Sequence, residues 1–185
     1  MRKIFLLFFL FAFAVTAQAQ FGVRAGYSSA NFSNSDFSSI GAFHIGGYYL
    51  VKTSADLVSV EPGIQYSGKG YSTVALDGDE VTEKLGYVDI PVLIRLNLMP
   101  ALNVFAGPQA SLLVSRNYTK GNISNSSLEP VAGYELGALV GVGVKVAAGL
   151  NLQASYDLGL SSLNYFNTDV SNRVLKLSIG YTFGN

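Results

Sequence analysis

From Tyr134 to Leu160 the chain alternates between two chemistries: Tyr134, Leu136, Ala138, Val140, Val142, Val144 and Val146, then Leu150, Leu152, Ala154, Tyr156, Leu158 and Leu160 are apolar. The intervening positions are mostly Glu135, Gly137, Gly141, Gly143, Lys145, Asn151, Gln153, Ser155, Asp157 and Gly159. Successive side chains of a strand point to opposite faces, so a period of two predicts extended strand with one greasy and one polar side. The same pattern recurs along the chain and predicts eight strands near 20–28, 42–52, 56–67, 85–98, 102–116, 131–147, 150–161 and 173–183. Between them, polar loops at 29–41, 68–84, 117–130 and 162–172 alternate with tight turns at 52–55, 99–101 and 148–149. Long and short connections in strict alternation predict an all-β, eight-stranded antiparallel up-and-down transmembrane β-barrel, with both termini and the short turns on one side.

The direction of the greasy face decides the environment. Its members include Phe21, Val23, Tyr27, Phe43, Ile45, Tyr49, Val58, Val60, Ile64, Val88, Ile90, Val92, Ile94, Val104, Leu112, Leu175, Leu177, Ile179, Tyr181 and Phe183, with no charge among them. The opposite face carries Arg24, Glu61, Asp89, Arg95, Glu135, Lys145, Asp157 and Lys176, four acids and four bases. A soluble barrel with that polar face outward would be poor in surface charge. Against lipid, an outward Lys or Arg costs about 2–4 kcal/mol at mid-bilayer, which requires a charge-free face. A balanced interior set is also what desolvated charges demand, because they are tolerated only when paired. The greasy face is therefore expected in lipid and the eight charged residues in a structural lumen network. Outward aromatics fall near strand ends, Phe21, Tyr49, Tyr181 and Phe183 at the turn side and Tyr27, Phe43, Tyr66 and Tyr134 at the loop side, as interfacial girdles do.

The first residues say how such a chain would reach a membrane. Arg2 and Lys3 precede an apolar run, Ile4 to Val15, and the small-x-small triplet Ala17-Gln18-Ala19. This is the pattern of a signal peptide, 1–19, leaving a barrel domain, 20–185, in the outer membrane. Removal of Arg2 and Lys3 leaves 10 basic against 12 acidic residues, a balance that gives no nucleic acid a reason to bind. No cysteine is present, so neither disulfides nor thiolate metal sites are available.

Pro62, Pro91 and Pro108 fall inside three predicted strands, and bulges or kinks are expected there because proline lacks the ladder N–H. The segments Tyr87 to Leu98 (YVDIPVLIRLNL) and Val104 to Val114 (VFAGPQASLLV), closed by Gly180 to Phe183 (GYTF), resemble the PorT-like outer-membrane β-barrel family over essentially the whole mature chain. The resemblance is carried most specifically by Tyr87, Asp89, Pro91 and Arg95 with the Gly107-Pro108 pair. It implies a small eight-stranded barrel without assigned activity, one namesake group being linked to protein secretion. It also implies that Tyr181 and Phe183 are read by the barrel-insertion machinery, although here Gly184 and Asn185 follow.

Catalysis would need a nucleophile beside a base. The single histidine, His44, is placed on the lumen face within range of Ser28 or Ser67, but no Gly-x-Ser-x-Gly elbow accompanies it. A lumen histidine within a hydrogen-bond network is the stronger reading, and no catalytic residue, metal or cofactor is expected. The acidic loop Leu76 to Lys84 lacks calcium-loop spacing and reads as a solvated turn around Asp77-Gly78. At eight strands the interior is just wide enough for side chains to fill. Arg24, Tyr48, Leu93, Arg95, Phe105, Leu113, Leu139 and Lys145 point into it, while Gly137, Gly141 and Gly143 thin one wall. The favoured role is structural or loop-mediated binding of an unknown external ligand or protein. The alternatives are a narrow or secretion-associated channel and, less favoured, a lipid-modifying enzyme. Deletion of 68–84 is expected to leave insertion intact.

Overall fold

The computed structural model describes residues 19–33, 37–53, 57–75, 77–128, 133–163 and 170–184. The leader features Arg2, Lys3 and 4–15, and the centres of the loops at 29–41 and 162–172, lie outside the described residues.

Among the described residues nine strands follow in order: β1 (Ala19–Phe32), β2 (Ser38–Lys52), β3 (Val58–Val74), β4 (Glu80–Asn97), β5 (Leu102–Lys120), β6 (Ile123–Asn125), β7 (Tyr134–Ala147), β8 (Leu150–Gly159) and β9 (Asn172–Thr182). All pairings are antiparallel. Eight strands close on themselves in the order β1-β2-β3-β4-β5-β7-β8-β9, and β6 is a three-residue return of the chain along β5 outside the ring. Closure leaves no unpaired edge within the ring, a requirement for backbone in lipid. The turns after β2, β4 and β7 lie at one end with the start of β1 and the end of β9, and this is called the turn end; the opposite end is the loop end.

Alternation sorts every strand as the period of two requires. Along β9 the pattern is strictly buried then exposed: Asn172, Val174, Lys176, Ser178, Gly180 and Thr182 inward, Arg173, Leu175, Leu177, Ile179 and Tyr181 outward. Ile94, Leu136 and Leu177 on the outer face are each more than half exposed, as 54%, 56% and 57%. An apolar surface continuous around a barrel far exceeds what a water-soluble monomer shows, and lipid is the medium that covers it. Among the described residues, outward charges on the strands such as Lys84 and Arg173 lie toward the loop end. The turn-side aromatics form one cluster, with ring centroids of Phe21 5.5 Å from Tyr49 and 5.8 Å from Phe183, and Tyr181 5.0 Å from Phe183. On the loop side Phe43 and Tyr66 are 5.6 Å apart.

The three prolines do not bulge their strands. Pro62 pairs with Val92, Pro91 with Gln109 and Pro108 with Ala138, in registers that run unchanged through each site. Facing is likewise unbroken, Asp89, Pro91, Leu93 and Arg95 all pointing inward. Register shifts fall instead between Ser39 and His44, between Gly86 and Tyr87, and between Lys145 and Ala147. Opposite Gly86 and Tyr87, β5 carries one extra residue, so Val114 and Ser115 are both exposed and the inward set switches from Leu113 to Arg116.

The expected loops at 68–84 and 117–130 are largely strand. Lys69 to Val74 pair with Glu80 to Leu85, leaving 75–79 as the connection, and β5 continues to Lys120 before the return through β6. The strands β3, β4 and β5 run 17, 18 and 19 residues, against 10 and 11 for β8 and β9. About 9–11 tilted residues cross a bilayer. The wall made by β3 to β5 therefore rises well beyond the membrane at the loop end, tipped by Lys120 Nζ donating to Asp77 Oδ2 at 2.5 Å.

Candidate functional site: the filled lumen and its vestibule

Three layers occupy the lumen. Nearest the turn end, Glu61 of β3 is held by two guanidiniums: Arg95 donates from Nε to Oε2 at 2.6 Å and from Nη2 to Oε1 at 3.0 Å, and Arg24 donates from Nη2 to Oε1 at 3.0 Å. Arg95 Nη1 also donates to Asn103 Oδ1 at 2.6 Å. Each guanidinium lies over an aromatic face, Arg24 4.3 Å from the Tyr48 ring and Arg95 4.3 Å from Phe105. The thin glycine wall is thereby filled. A Cβ on Gly141 would lie 2.5 Å from the Phe105 ring, and one on Gly143 2.8 Å from Asn103 Oδ1. Gly22 similarly leaves the space that the Tyr48 ring occupies.

The middle layer joins six strands, β3, β4, β5, β7, β8 and β9. Lys176 Nζ reaches Asp157 Oδ2 at 2.6 Å, Ser67 Oγ at 2.9 Å and Asp89 Oδ2 at 3.3 Å. Lys69 Nζ lies 3.2 Å from Asp89 Oδ1 and donates to Glu135 Oε2 at 3.3 Å. Ser111 donates to Asp89 Oδ1 at 2.6 Å, and the Asn172 backbone N–H donates to Glu135 Oε1 at 2.9 Å. All five charged members are buried. Charges this dry are held only because each carboxylate has both a cation and neutral donors, and removing one partner from such a pair costs about 3–5 kcal/mol. His44 sits beside this layer with Nδ1 2.9 Å from Ser28 Oγ and Nε2 2.8 Å from Ser178 Oγ. Ser28 is thus brought to His44 as the sequence allowed, whereas Ser67 serves Lys176. A second serine, not a carboxylate, meets the other ring nitrogen, which is not the arrangement of a catalytic triad.

At the loop end Arg116 grips Glu83 at 2.6 and 3.1 Å and donates from Nη1 to the Ser127 carbonyl at 2.8 Å. Above the middle layer, Phe32, Tyr71, Leu85, Tyr87, Leu113, Leu163 and Val170 form a buried apolar cluster, with the Phe37 ring stacked 4.2 Å from Tyr71.

Seven of the eight charged residues named from the sequence, Arg24, Glu61, Asp89, Arg95, Glu135, Asp157 and Lys176, enter these ion pairs. Lys145 does not: it is exposed at the turn end, without an ion-pair partner among the described residues. Sequence reasoning missed Lys69, Glu83 and Arg116, the first two because the polar stretch 68–84 reads as loop and the third because the β5 bulge shifts its parity. The available signal was parity, since Lys69, Glu83, Leu85 and Tyr87 continue the inward odd register of β3 and β4.

Below the Arg24–Glu61–Arg95 layer the lumen opens. A cavity of about 510 Å³ reaches the turn end, lined among others by Tyr48, Lys52, Arg95, Asn97, Asn103, Lys145, Asn151 and Gln153.

A closed ring, an apolar outer band with its outward charges toward the loop end, and a side-chain-filled interior define a small eight-stranded transmembrane β-barrel. The chain belongs to the outer membrane protein β-barrel domain family, whose sequence profile matches residues 14–165. Among solved structures it is similar to Ail of Yersinia pestis, crystallised with the heparin analogue sucrose octasulfate, at 13% identity and a TM-score of 0.56, covering 90% of this chain and 99% of that one. Neisserial surface protein A is similar at 16% identity and a TM-score of 0.54, covering 89% and 96%. A major outer membrane protein of Thermus thermophilus is similar at 14% identity and a TM-score of 0.56, covering 89% and 99%. No curated protein matches the chain in sequence. At these identities the shared property is the fold.

Proposed function

We propose that this outer-membrane barrel is a non-catalytic scaffold whose loop end, the tall wall of β3, β4, β5 and β6, binds an external ligand or protein. The observation that carries the reading is the contrast between a lumen packed from Glu61 to Leu163 and strands extended well past the bilayer at one end. Strand added beyond lipid contributes nothing to spanning, whereas a rigid hairpin holds exposed side chains in fixed positions. Ile123, Val74 and Leu128 lie exposed on it. In this orientation the turn end faces the periplasm, the signal peptide is cleaved after Ala19, and Tyr181 and Phe183 in the turn-side aromatic cluster engage the insertion machinery. The narrower PorT-like resemblance is supported by Tyr87, Asp89 and Arg95, which all face the lumen and hold its packing.

Ail's sulfated ligand does not transfer directly. The tall wall carries Lys84 and Lys120 against Asp77, Asp79 and Glu80, a mixed surface rather than a basic one. The test compares cells bearing the parent barrel with cells bearing a variant whose 117–128 segment is cut to a tight turn, over a panel of immobilised glycans and proteins. Loss of a parental binding signal with an unchanged heat shift on gels supports the reading. Parental binding that survives the trimming overturns it. A second reading, a narrow channel, is favoured only by the open vestibule and requires the ion-pair layers above it to part.

A further inference from the structure

The vestibule has features that a passive gap in packing does not need. Three cations line it, Lys52, Arg95 and Lys145, against one carboxylate, Glu61, which two guanidiniums already hold. Lys52 and Lys145 are exposed and have no ion-pair partner among the described residues. Each terminal nitrogen of Arg95 carries a second N–H beyond those given to Glu61 and Asn103. An anion is the occupant that this charge favours.

The rest of the lining narrows the class. Asn103, Asn151 and Gln153 supply side-chain amides: Asn103 Oδ1 accepts from Arg95, and Asn151 donates to Tyr48 and accepts from Gln153, which leaves Asn103 Nδ2 as a donor and Gln153 Oε1 as an acceptor toward an occupant, while Leu50, Leu57, Leu98 and Met99 supply apolar wall. One free amide donor and one free amide acceptor beside apolar wall match the C=O and N–H of a peptide group, whereas a bare inorganic anion would use only the donor. The cavity's 510 Å³ falls in the range of small-ligand sites, about 300–1,000 Å³, and the floor stops an occupant at the Arg24–Glu61–Arg95 layer. Tyr48 fixes that floor, its hydroxyl 2.8 Å from Thr182 Oγ1 and accepting from Asn151 Nδ2 at 3.2 Å.

We propose that the turn-end vestibule is a binding site for short peptides with a free carboxylate, the carboxylate meeting the Arg95, Lys52 and Lys145 charges and the peptide groups meeting Asn103 and Gln153. The site is separate from the loop-end surface and faces the periplasm in the orientation proposed above.

The test uses the mature barrel, isotope-labelled and refolded into phospholipid nanodiscs, where both ends are accessible. Tri-alanine with a free carboxyl terminus, its C-terminal amide and inorganic phosphate are titrated separately and followed by NMR. The free acid should give saturable shifts confined to Asn103, Asn151, Gln153 and their strand neighbours, and the amide should bind at least ten-fold more weakly. Lys52→Glu with Lys145→Glu should lower the affinity at least ten-fold while the heat shift on gels persists. If that double variant does not refold, Lys145→Gln should still weaken binding several-fold. No saturable shift at these residues, equal binding of acid and amide, or phosphate binding as tight as the peptide would each overturn the proposal. Shifts at 75–79 or 121–128 would assign the peptide to the loop end and overturn it equally.

Discussion

The two halves of the lumen are built from the same residue types and behave differently. In the half toward the loop end, Asp89, Glu135 and Asp157 are interleaved with Lys69 and Lys176, and every cation touches a carboxylate. In the half toward the turn end, Lys52 and Lys145 touch none, and a 510 Å³ space remains. Overall balance between acids and bases therefore says little about local neutrality. What separates the halves is where the carboxylates fall: the vestibule lining holds Glu61, which Arg24 and Arg95 already occupy, whereas Asp89, Glu135 and Asp157 all lie in the filled half. The filled half makes the barrel stable, and the open half leaves charge available to an occupant.

The largest way to break this comparison is to remove the wall that closes the filled half. Deleting 68–84 takes away Lys69, Tyr71 and Glu83 and the apolar lid with them, and the heat-shifting form on gels should be lost. Trimming 75–79 to a two-residue turn should leave that form intact. This replaces the expectation that 68–84 is a dispensable loop, and assembly of the 68–84 deletion would show the lid to be unnecessary.

Single-residue changes sharpen the contrast. Glu61→Ala strands Arg24 and Arg95, and Asp89→Ala leaves Lys69 with Glu135 alone and Lys176 with Asp157 alone, so each should cost about 3–5 kcal/mol of stability, Glu61→Ala the more. Lys145→Ala, at the exposed mouth, should stay within about 0.5 kcal/mol. Urea titration of the refolded barrels, read by the fraction that resists unfolding on unheated gels, measures all three, and equal costs would erase the distinction between the halves. Intermediate effects belong to the glycines that seat aromatic side chains. Gly141→Leu and Gly22→Val drive into Phe105 and Tyr48 and should cost about 1–3 kcal/mol, the range of overpacked cores, by the same titration.

The smallest effect lies at the loop-end tip. The Lys120 hydrogen bond holds the Asp77 carboxyl below its ordinary 3.8, and Asp77 in turn raises Lys120 above its ordinary 10.5. The tie is therefore fully present between those values. It is lost as pH falls through the lowered Asp77 value or rises through the raised Lys120 value. Amide resonances of 77–80 should shift below pH 3.8 while those of the lumen-facing Asn103 do not; a matching shift at Asn103 would mean that the whole barrel titrates.

Much of this architecture was legible because lipid enforces a strict rule on one face. Leu175, Leu177 and Ile179 alternate with Val174, Lys176 and Ser178, and the turns at 99–101 and 148–149 were visible as breaks in that alternation. Beyond the membrane the rule lapses. Ser72, Thr73, Thr82 and Lys84 face water on strands that read as loop, and the pairs involving Lys69 and Glu83 were hidden with them. Arg116 was obscured by a bulge within Leu113-Val114-Ser115, where an extra residue changes parity without a proline or glycine to mark it. The prolines drew attention away from that site, yet their neighbours keep register because one missing donor is tolerated where the flanking pairs continue. Lys145 lines the turn-end cavity, but period two carries no information about height along the axis and hence none about its lack of a partner.

The central claim is that the lumen is sealed above the vestibule. Planar lipid bilayers containing the purified, refolded barrel measure this directly, with current recorded over a range of voltages in molar potassium chloride. Membranes in which heat-shifting protein is present should stay at baseline conductance, because the Arg24–Glu61–Arg95 layer, the Lys69–Asp89–Lys176 layer and the apolar lid lie in series. Reproducible stepwise openings from the parent protein would contradict the account and make the vestibule the mouth of a channel.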